Sequence, residues 1–238
     1  MSRYIFLLFC FLLFFSKSAL SAIISIDSDC ANVIENQQDT LKENQVLYNG
    51  KLWKNLYYNI KEDQYLFSKE YLKGSLTING ESFRNVSLKY DIYNDEITTP
   101  SNLGIVLQLN KERVDSFTLN FQNKTYRFGK IQEDTLKSYK GYFNVLYKGK
   151  CALYVKYKKE IELLAVDRKW DMFYQTHRIY FENHNILYTV SGKGDLLRIL
   201  SANKDQLKSY IKKNKLKVSK KRPESFVPIL RFYDSLSK

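Results

Sequence analysis

Glycine and proline are scarce in this sequence. Its 238 residues include only 9 glycines and 3 prolines, while 44% of the residues are hydrophobic and 15% are aromatic. That composition excludes a collagen-like, low-complexity or disordered polymer. A chain of this length forms one large domain, or one domain with a small appendage, and can bury a core without disulfide or metal staples.

Histidine and cysteine are also few. The only histidines are His177 and His184, and the nearby acids Asp171 and Glu182 do not stand at the spacing of a zinc site. Cys151 lies in an apolar run, where a thiol tends to be inert rather than nucleophilic. The sequence contains no nucleotide-binding loop and no recognised catalytic signature. It therefore favours a non-enzymatic protein without metal or cofactor.

The first 22 residues are typical of a secretory signal peptide. Arg3 is followed by an apolar run, Ile5 to Phe15, and then by the small-residue stretch Ser16 to Ala22. The apolar core of about 11 residues is too short for a membrane-spanning helix, which needs about 20. We predict cleavage after residue 21 or 22, export to the periplasm, the cell envelope or the medium, and a mature chain without a transmembrane helix.

Beyond the signal peptide, the composition changes twice. Residues 23–45 are polar without clear periodicity and form a leader. Residues 46–190 contain short alternating runs of aromatic and aliphatic residues, which predict strands, and residues 193–237 show helical periodicity. We predict a single domain over 46–238, of the α+β class. It should contain a mainly antiparallel sandwich or partly closed barrel of about eight strands, followed by two or three helices.

Two hairpins can be placed in register. Asn79-Gly80 suits a two-residue turn that sets Leu76 opposite Phe83. The apolar alternation then shifts by one residue, which predicts a bulge or bend near Arg84 and Asn85. A second hairpin is predicted with a loop at residues 123 and 124, which would place Phe121 opposite Tyr126.

The mature chain has two cysteines, Cys30 and Cys151. In an oxidising compartment they could pair across a loop of about 120 residues, which would restrict the unfolded chain. Alternatively, Cys151 is a buried apolar residue of a strand and Cys30 is a free thiol. The sequence leaves both readings open.

Basic residues are concentrated near the C-terminus. Removing residues 1–22 leaves 36 basic and 25 acidic residues, a net charge of +11. Nine basic residues lie between Lys204 and Arg222, against Asp205 alone. The members Lys204, Lys208, Lys212 and Lys215 recur at helical spacing, opposite Leu207 and Ile211. Such a face could contact an anionic lipid or glycan surface, or could simply be a solvated face.

Nucleic acid is an unfavourable partner because the chain is predicted to be exported and has no recognised nucleic-acid-binding motif. The acidic cluster Asp91, Asp95 and Glu96 leaves one enzymatic alternative, a glycan or peptide hydrolase with a non-standard site. A solvated turn is the simpler interpretation of these acids.

Three stretches resemble a family of uncharacterised exported proteins of Bacteroidota-type bacteria. They are GSLTINGESFRNVSLKYDIYNDEI (Gly74 to Ile97), GYFNVLYKGKCALYVKYKKEI (Gly141 to Ile161) and the tail DQLKSYIKKNKLKV…RFYDSL. The resemblance covers most of the mature chain and implies a location in the bacterial envelope. It implies no activity and no catalytic residues. The expected function is therefore that of an exported binding or scaffold module whose partner is a protein or an anionic surface.

Overall fold

The computed structural model describes residues 46–48, 50–131, 140–163 and 170–236. The chain divides into two compact units, Met1–Tyr48 and Asn49–Lys238, and the second contains every element named below. The predicted signal peptide (1–22) and leader (23–45) lie outside the described residues and stay predictions. The strands are β1 (Gly50–Leu52), β2 (Leu72–Ile78), β3 (Glu81–Asp91), β4 (Glu96–Pro100), β5 (Val106–Leu109), β6 (Val114–Phe121), β7 (Lys124–Lys130), β8 (Tyr142–Lys148), β9 (Ala152–Glu162), β10 (Met172–Asn183) and β11 (Ile186–Val190). The helices are α1 (Lys193–Ile199), α2 (Lys204–Lys213) and α3 (Val227–Leu236), with short 3₁₀ turns at Ser201–Asn203 and Pro223–Phe226.

The strands form one antiparallel sheet in the order β1-β5-β4-β3-β2-β6-β7-β8-β9-β10-β11. The predicted α+β class, the antiparallel strands and the C-terminal helices are confirmed. The predicted strand number is wrong, because the sheet has eleven strands rather than about eight. The sheet is also a single open one, so the predicted sandwich or partly closed barrel is not what forms.

The strands that sequence reasoning missed are β1, β4 and β5. β1 and β5 have only three and four residues, too few for an alternating pattern to stand out. In β4 the buried positions include Thr98 and Thr99, each 1% exposed. A search for alternating hydrophobic residues passes over buried threonines, because threonine carries a hydroxyl and counts as a polar residue.

The β2–β3 hairpin forms as predicted. Asn79 and Gly80 both have positive φ, 49° and 83°, and Leu76 is paired with Phe83. The predicted irregularity near residues 84 and 85 is confirmed as a bulge, because Gly74 pairs with Val86 while Leu76 pairs with Phe83. The extra residue returns the apolar side chains of β3 to the buried face.

The β6–β7 hairpin corrects the predicted register. Gln122 and Asn123 adopt positive φ, 47° and 58°, and form the turn, so Phe121 pairs with Lys124 instead of Tyr126. Tyr126 pairs with Leu119. The two-residue turn therefore starts one position earlier than the predicted loop at residues 123 and 124, because Gln122 and Asn123 adopt the left-handed conformations of such a turn.

An aromatic cluster fills the curved middle of the sheet. The rings of Phe117 and Phe128 are stacked at 4.7 Å, and the rings of Tyr90 and Tyr142 contact them edge to face. All four side chains are at most 2% exposed. Aromatic pairs in these geometries add to the stabilisation that burial of their area provides.

The three helices pack on one face of strands β8 to β11. The shared core includes Leu153 and Ile179 from the sheet, Leu196 of α1, Leu207 of α2 and Ile229 of α3, each fully buried. Pro223 is the first residue of the 3₁₀ turn Pro223–Phe226, and Pro228 lies in the first turn of α3, where a helix does not need the missing amide. The helices thus pack against the sheet through the apolar residues that recur at helical spacing in the sequence.

Candidate functional site

The C-terminal basic segment has the amphipathic geometry that its spacing predicts. In α2, Leu207 and Ile211 are 0% and 6% exposed, while Lys204, Lys208 and Lys212 are all exposed. The apolar side chains face the core and the lysines face away from it. Because residues three and four apart share one side of a helix, the three lysines form a stripe.

Lys215 does not belong to that helical stripe. α2 ends at Lys213, and Lys215 has φ +52°, in the left-handed region. The amide of Lys215 donates to the carbonyl of Lys212 at 3.2 Å, and the amide of Leu216 donates to Ile211 at 3.0 Å. These bonds close the helix C-terminus. Lys215 is exposed, but past the end of the stripe rather than on it.

The basic turn after α2 is anchored to the sheet. His177 Nε2 lies 2.8 Å from the carbonyl oxygen of Lys220, so the ring nitrogen donates this hydrogen bond. Ser219 and Arg222 form an antiparallel bridge, and the Ser225 hydroxyl accepts from the amide of Ser219. These hydrogen bonds hold the backbone of the turn in place, and the basic side chains extend from it.

We name the exposed basic residues between Lys204 and Arg222 the lysine-rich surface. The nearest carboxylate is Asp205, whose Oδ1 is 3.9 Å from Lys208 Nζ, with both side chains largely exposed. In the part of the chain that the structure describes, no other ion pair involves this surface. Its charge therefore remains uncompensated. Its members are Lys204, Lys208, Lys212, Lys213, Lys215, Lys217, Lys220, Lys221 and Arg222.

The two histidines do not form a metal site within the described ranges. His184 is exposed in the β10–β11 turn with φ +50°, whereas His177 anchors the basic turn. Glu182 accepts a hydrogen bond from Tyr154 at 2.8 Å. These contacts account for the histidines and for Glu182 as structural residues.

Cys151 is 2% exposed and lies against the last turn of α3. Burial, and then the neighbouring Asp234, raise the pKa of its thiol. Asp234 Oδ2 accepts from the Tyr147 hydroxyl at 2.8 Å and from the Lys150 amide at 2.9 Å, which attaches α3 to the β8–β9 turn. A thiol in these surroundings is not a nucleophile. Cys30 lies outside the described residues, so its pairing with Cys151 stays a prediction.

The acidic residues after β3 have separate environments. Asp91 is 1% exposed and accepts from the amides of Tyr93 and Asn94, which organises the turn. Burial raises the pKa of Asp91 and also that of Glu96. Asp95 sits at φ +59° and points toward two lysines. The solvated turn expected for these acids is therefore wrong for Asp91 and Asp95.

Sequence reasoning missed a partly buried ion-pair cluster around Asp95. Lys111 Nζ is 2.7 Å from Asp95 Oδ2, and Lys156 Nζ is 2.9 Å from Oδ1. Oδ1 also accepts from the Tyr90 hydroxyl at 2.5 Å and from the Tyr142 amide at 3.3 Å. Burial lowers the pKa of Lys156, an effect that the charge of Asp95 opposes. Lys111 and Lys156 lie 16 and 61 residues from Asp95 along the chain, so no local pattern could have found these ion pairs.

Lys111 also lines an open cleft of about 420 Å³ between β1, β4 and β5. The other polar side chains on its wall are Lys51, Glu96, Gln108 and Glu112, with Asn110 between them. The wall carries two cations and two carboxylates, so it has no single sign of charge. It suits a polar ligand better than an apolar one.

Comparisons with known proteins give no relative. No protein-family model matches the chain, and neither a curated protein nor a solved structure does. Among the described residues, no helix is both long and apolar enough to span a membrane. The fold defines an α+β protein with one open antiparallel sheet, and the lysine-rich surface is its candidate functional site.

Proposed function

We propose that this chain is an exported, non-enzymatic binding module that attaches to an anionic lipid surface through the lysine-rich surface. The observation that carries the proposal is a set of exposed basic side chains for which, within the described ranges, Asp205 forms the only ion pair. Each basic residue near an anionic leaflet contributes roughly 1 kcal/mol to binding. A few simultaneous contacts are therefore enough for reversible attachment.

The shape of the lysine-rich surface suits contact with an extended anionic surface better than binding of a ligand inside a pocket. The stripe on α2 is a convex helix face, and the turn that follows is held by the bond between His177 and the Lys220 carbonyl. Point charges on flexible stems suit headgroups whose positions vary, whereas recognition of a single anion favours a rigid fork such as arginine. Eight of the nine basic residues of the lysine-rich surface are lysines.

The test is co-sedimentation of the purified mature protein with vesicles. Vesicles of phosphatidylcholine with phosphatidylglycerol should bind the protein, and pure phosphatidylcholine vesicles should not. Binding should weaken steeply as salt rises, because exposed charges are screened over about 10 Å at 0.1 M salt. Absence of binding to the anionic vesicles at low salt, or binding that ignores salt, contradicts the proposal.

A matched pair of variants locates the contact. Lys204→Gln with Lys208→Gln and Lys212→Gln removes three charges from the stripe and should weaken binding at least tenfold, given roughly 1 kcal/mol per charge. The control removes three exposed lysines elsewhere, at positions 54, 69 and 124, and leaves the same net charge. Equal weakening by both triples would mean that net charge, not this surface, drives attachment.

A hydrolase acting on glycan or peptide is the second candidate. Its support is the cleft between β1, β4 and β5, whose wall includes Glu96 and Glu112 and where burial raises the pKa of Glu96. A raised pKa brings a carboxyl group closer to the working range of a general acid. Turnover of a glycan or peptide substrate that Glu96→Gln abolishes would establish this candidate. Unchanged turnover in that variant would exclude the cleft as its site.

A further inference from the structure

The cleft between β1, β4 and β5 has one wall that the core holds from behind. This wall is the turn between β5 and β6, which carries Lys111 and Glu112. Lys130 Nζ donates to the carbonyl oxygens of Lys111 at 2.7 Å and of Glu112 at 3.4 Å. The hydroxyl of Tyr142, a residue that is 1% exposed, donates to the Lys111 carbonyl at 3.2 Å. The wall is therefore preorganised, which lowers the cost of ordering a binding site.

The opposite wall is the edge strand β1. Lys51 of β1 is paired with Gln108 of β5, and both residues line the cleft. Gly50 permits this close approach, because a Cβ there would lie 2.4 Å from the Gln108 carbonyl oxygen. Glu96 of β4 lies between the two walls. Burial raises the pKa of Glu96 and the charges of Lys51 and Lys111 oppose that rise, so both ammonium groups lie near its carboxyl group.

The charges in this cleft are not equally available to a ligand. Lys111 Nζ is 2.7 Å from Asp95 Oδ2, so a carboxylate outside the cleft already compensates its charge. In the ranges that the structure describes, no ion pair within 4.0 Å involves Lys51, Glu96 or Glu112. The charges left for a ligand are therefore one ammonium group and two carboxyl groups. The cleft thus offers partners of both signs, although the chain as a whole is strongly basic.

This set of charges discriminates between classes of ligand. A bare anion such as phosphate would meet two carboxylates, and a simple amine would leave Lys51 without a partner. A neutral sugar would find no aromatic ring to stack on among the wall residues that the structure describes, where the apolar side chain is Leu109, 4% exposed. A molecule with both an ammonium and a carboxylate group satisfies both signs. The cleft volume of about 420 Å³ lies within the usual range for small-molecule sites.

We propose that this cleft binds a small zwitterion, a free amino acid or a short peptide with unblocked ends. The ammonium group of the ligand lies between Glu96 and Glu112, and its carboxylate accepts from Lys51. Lys111 has N–H donors besides the one that meets Asp95, so it also donates to the ligand carboxylate. The cleft shares no residue with the lysine-rich surface and therefore gives the protein a second binding function.

Isothermal titration calorimetry of the mature protein with alanine and with dialanine tests this proposal. At least one of them should bind, and the stronger binder shows whether the site takes an amino acid or a peptide. N-acetyl-dialanine lacks the ammonium group and dialanine amide lacks the carboxylate, so each should bind at least about tenfold more weakly than dialanine. Absence of saturable binding at about 10 mM ligand, where even a site of millimolar affinity is filled, overturns the proposal. Equal binding of the blocked and unblocked peptides also overturns it.

Variants at exposed positions locate the two charged contacts. Glu112→Gln and Lys51→Gln should each weaken dialanine binding at least about tenfold. Glu112→Gln should not weaken the residual binding of N-acetyl-dialanine, which has no ammonium group to lose. The matched controls Glu81→Gln and Lys54→Gln make the same charge changes at exposed positions outside the cleft and should bind like the wild type. Equal weakening by the controls contradicts the proposal. The triple variant of the lysine-rich surface should bind dialanine normally, so failure of vesicle binding and failure of this site are distinguishable.

Discussion

Asp95→Asn tests the partly buried ion-pair cluster most sharply. The change removes one charge and keeps nearly the same shape, and asparagine tolerates the φ of +59° at this position. It leaves two ammonium groups, Lys111 and Lys156, close together without their carboxylate. The side chain of Lys156 is 21% exposed and that of Lys111 is 35% exposed.

The expected loss in the free energy of unfolding follows from the exposed fractions of these two lysine side chains. Breaking a fully buried ion pair by removing one partner costs about 3 to 5 kcal/mol, whereas exposed pairs contribute about 0 to 1 kcal/mol. The Lys156 pair lies nearer the first limit and the Lys111 pair nearer the second. The Tyr90 hydroxyl keeps an acceptor in the new amide oxygen. We therefore expect Asp95→Asn to lower the free energy of unfolding by about 2 to 3 kcal/mol.

The assay is urea unfolding followed by circular dichroism at neutral pH. With a slope of about 2 kcal/mol per molar urea, the midpoint should fall by about 1 M. Asp205→Asn, at a side chain that is 97% exposed, is the control and should change little. Adding Lys156→Met to Asp95→Asn should recover part of the loss, because it removes the unpaired charge. A loss below about 0.5 kcal/mol for Asp95→Asn, or strict additivity of the pair, would refute the reasoning.

Two further predictions concern buried carboxylates. Burial raises the folded pKa of Asp91, so between its unfolded pKa near 3.8 and that raised value the folded state holds more protons and stability falls as pH rises. The advantage of the wild type over Asp91→Asn in urea unfolding should therefore shrink from pH 4 to pH 7, and a constant or growing advantage contradicts this sign. Asp234→Ala removes the acceptor of two hydrogen bonds, from Tyr147 and the Lys150 amide, and should cost about 2 kcal/mol. It should also speed alkylation of the Cys151 peptide, measured by mass spectrometry with Ser235→Ala as control; an unchanged rate means that Asp234 does not shield the thiol.

Local features of the fold were predictable where a few adjacent residues decide the geometry. The Asn79-Gly80 turn is predictable because both residue types tolerate positive φ, and the bulge near Asn85 is predictable from the shift in apolar alternation. Both features involve only neighbouring residues. The buried side of α2 follows in the same way from the spacing of Leu207 and Ile211. The predicted register of Phe121 was wrong because the turn uses Gln122 and Asn123 instead of residues 123 and 124, a choice that depends on pairing along the whole hairpin.

The candidate surface was found because charge is visible in a sequence. Nine basic residues against Asp205 alone indicate an exposed segment, since uncompensated lysines are rarely buried. The end of the helical stripe was not visible. Lys215 fits the helical spacing, but α2 stops at Lys213. Beyond that point the Leu216 amide bonds to the Ile211 carbonyl, and the Leu216 side chain packs against the core.

The α+β class, the Asn79-Gly80 turn, the amphipathic helices and the concentration of positive charge near the C-terminus can all be derived from the sequence alone. Each of these depends on residues within a few positions of one another. The three-dimensional fold was needed to show that the described strands form one open sheet and that Asp95 meets Lys156. Those outcomes depend on contacts between distant segments, whose free energies are set by shape and distance in three dimensions and leave no periodic trace along the chain.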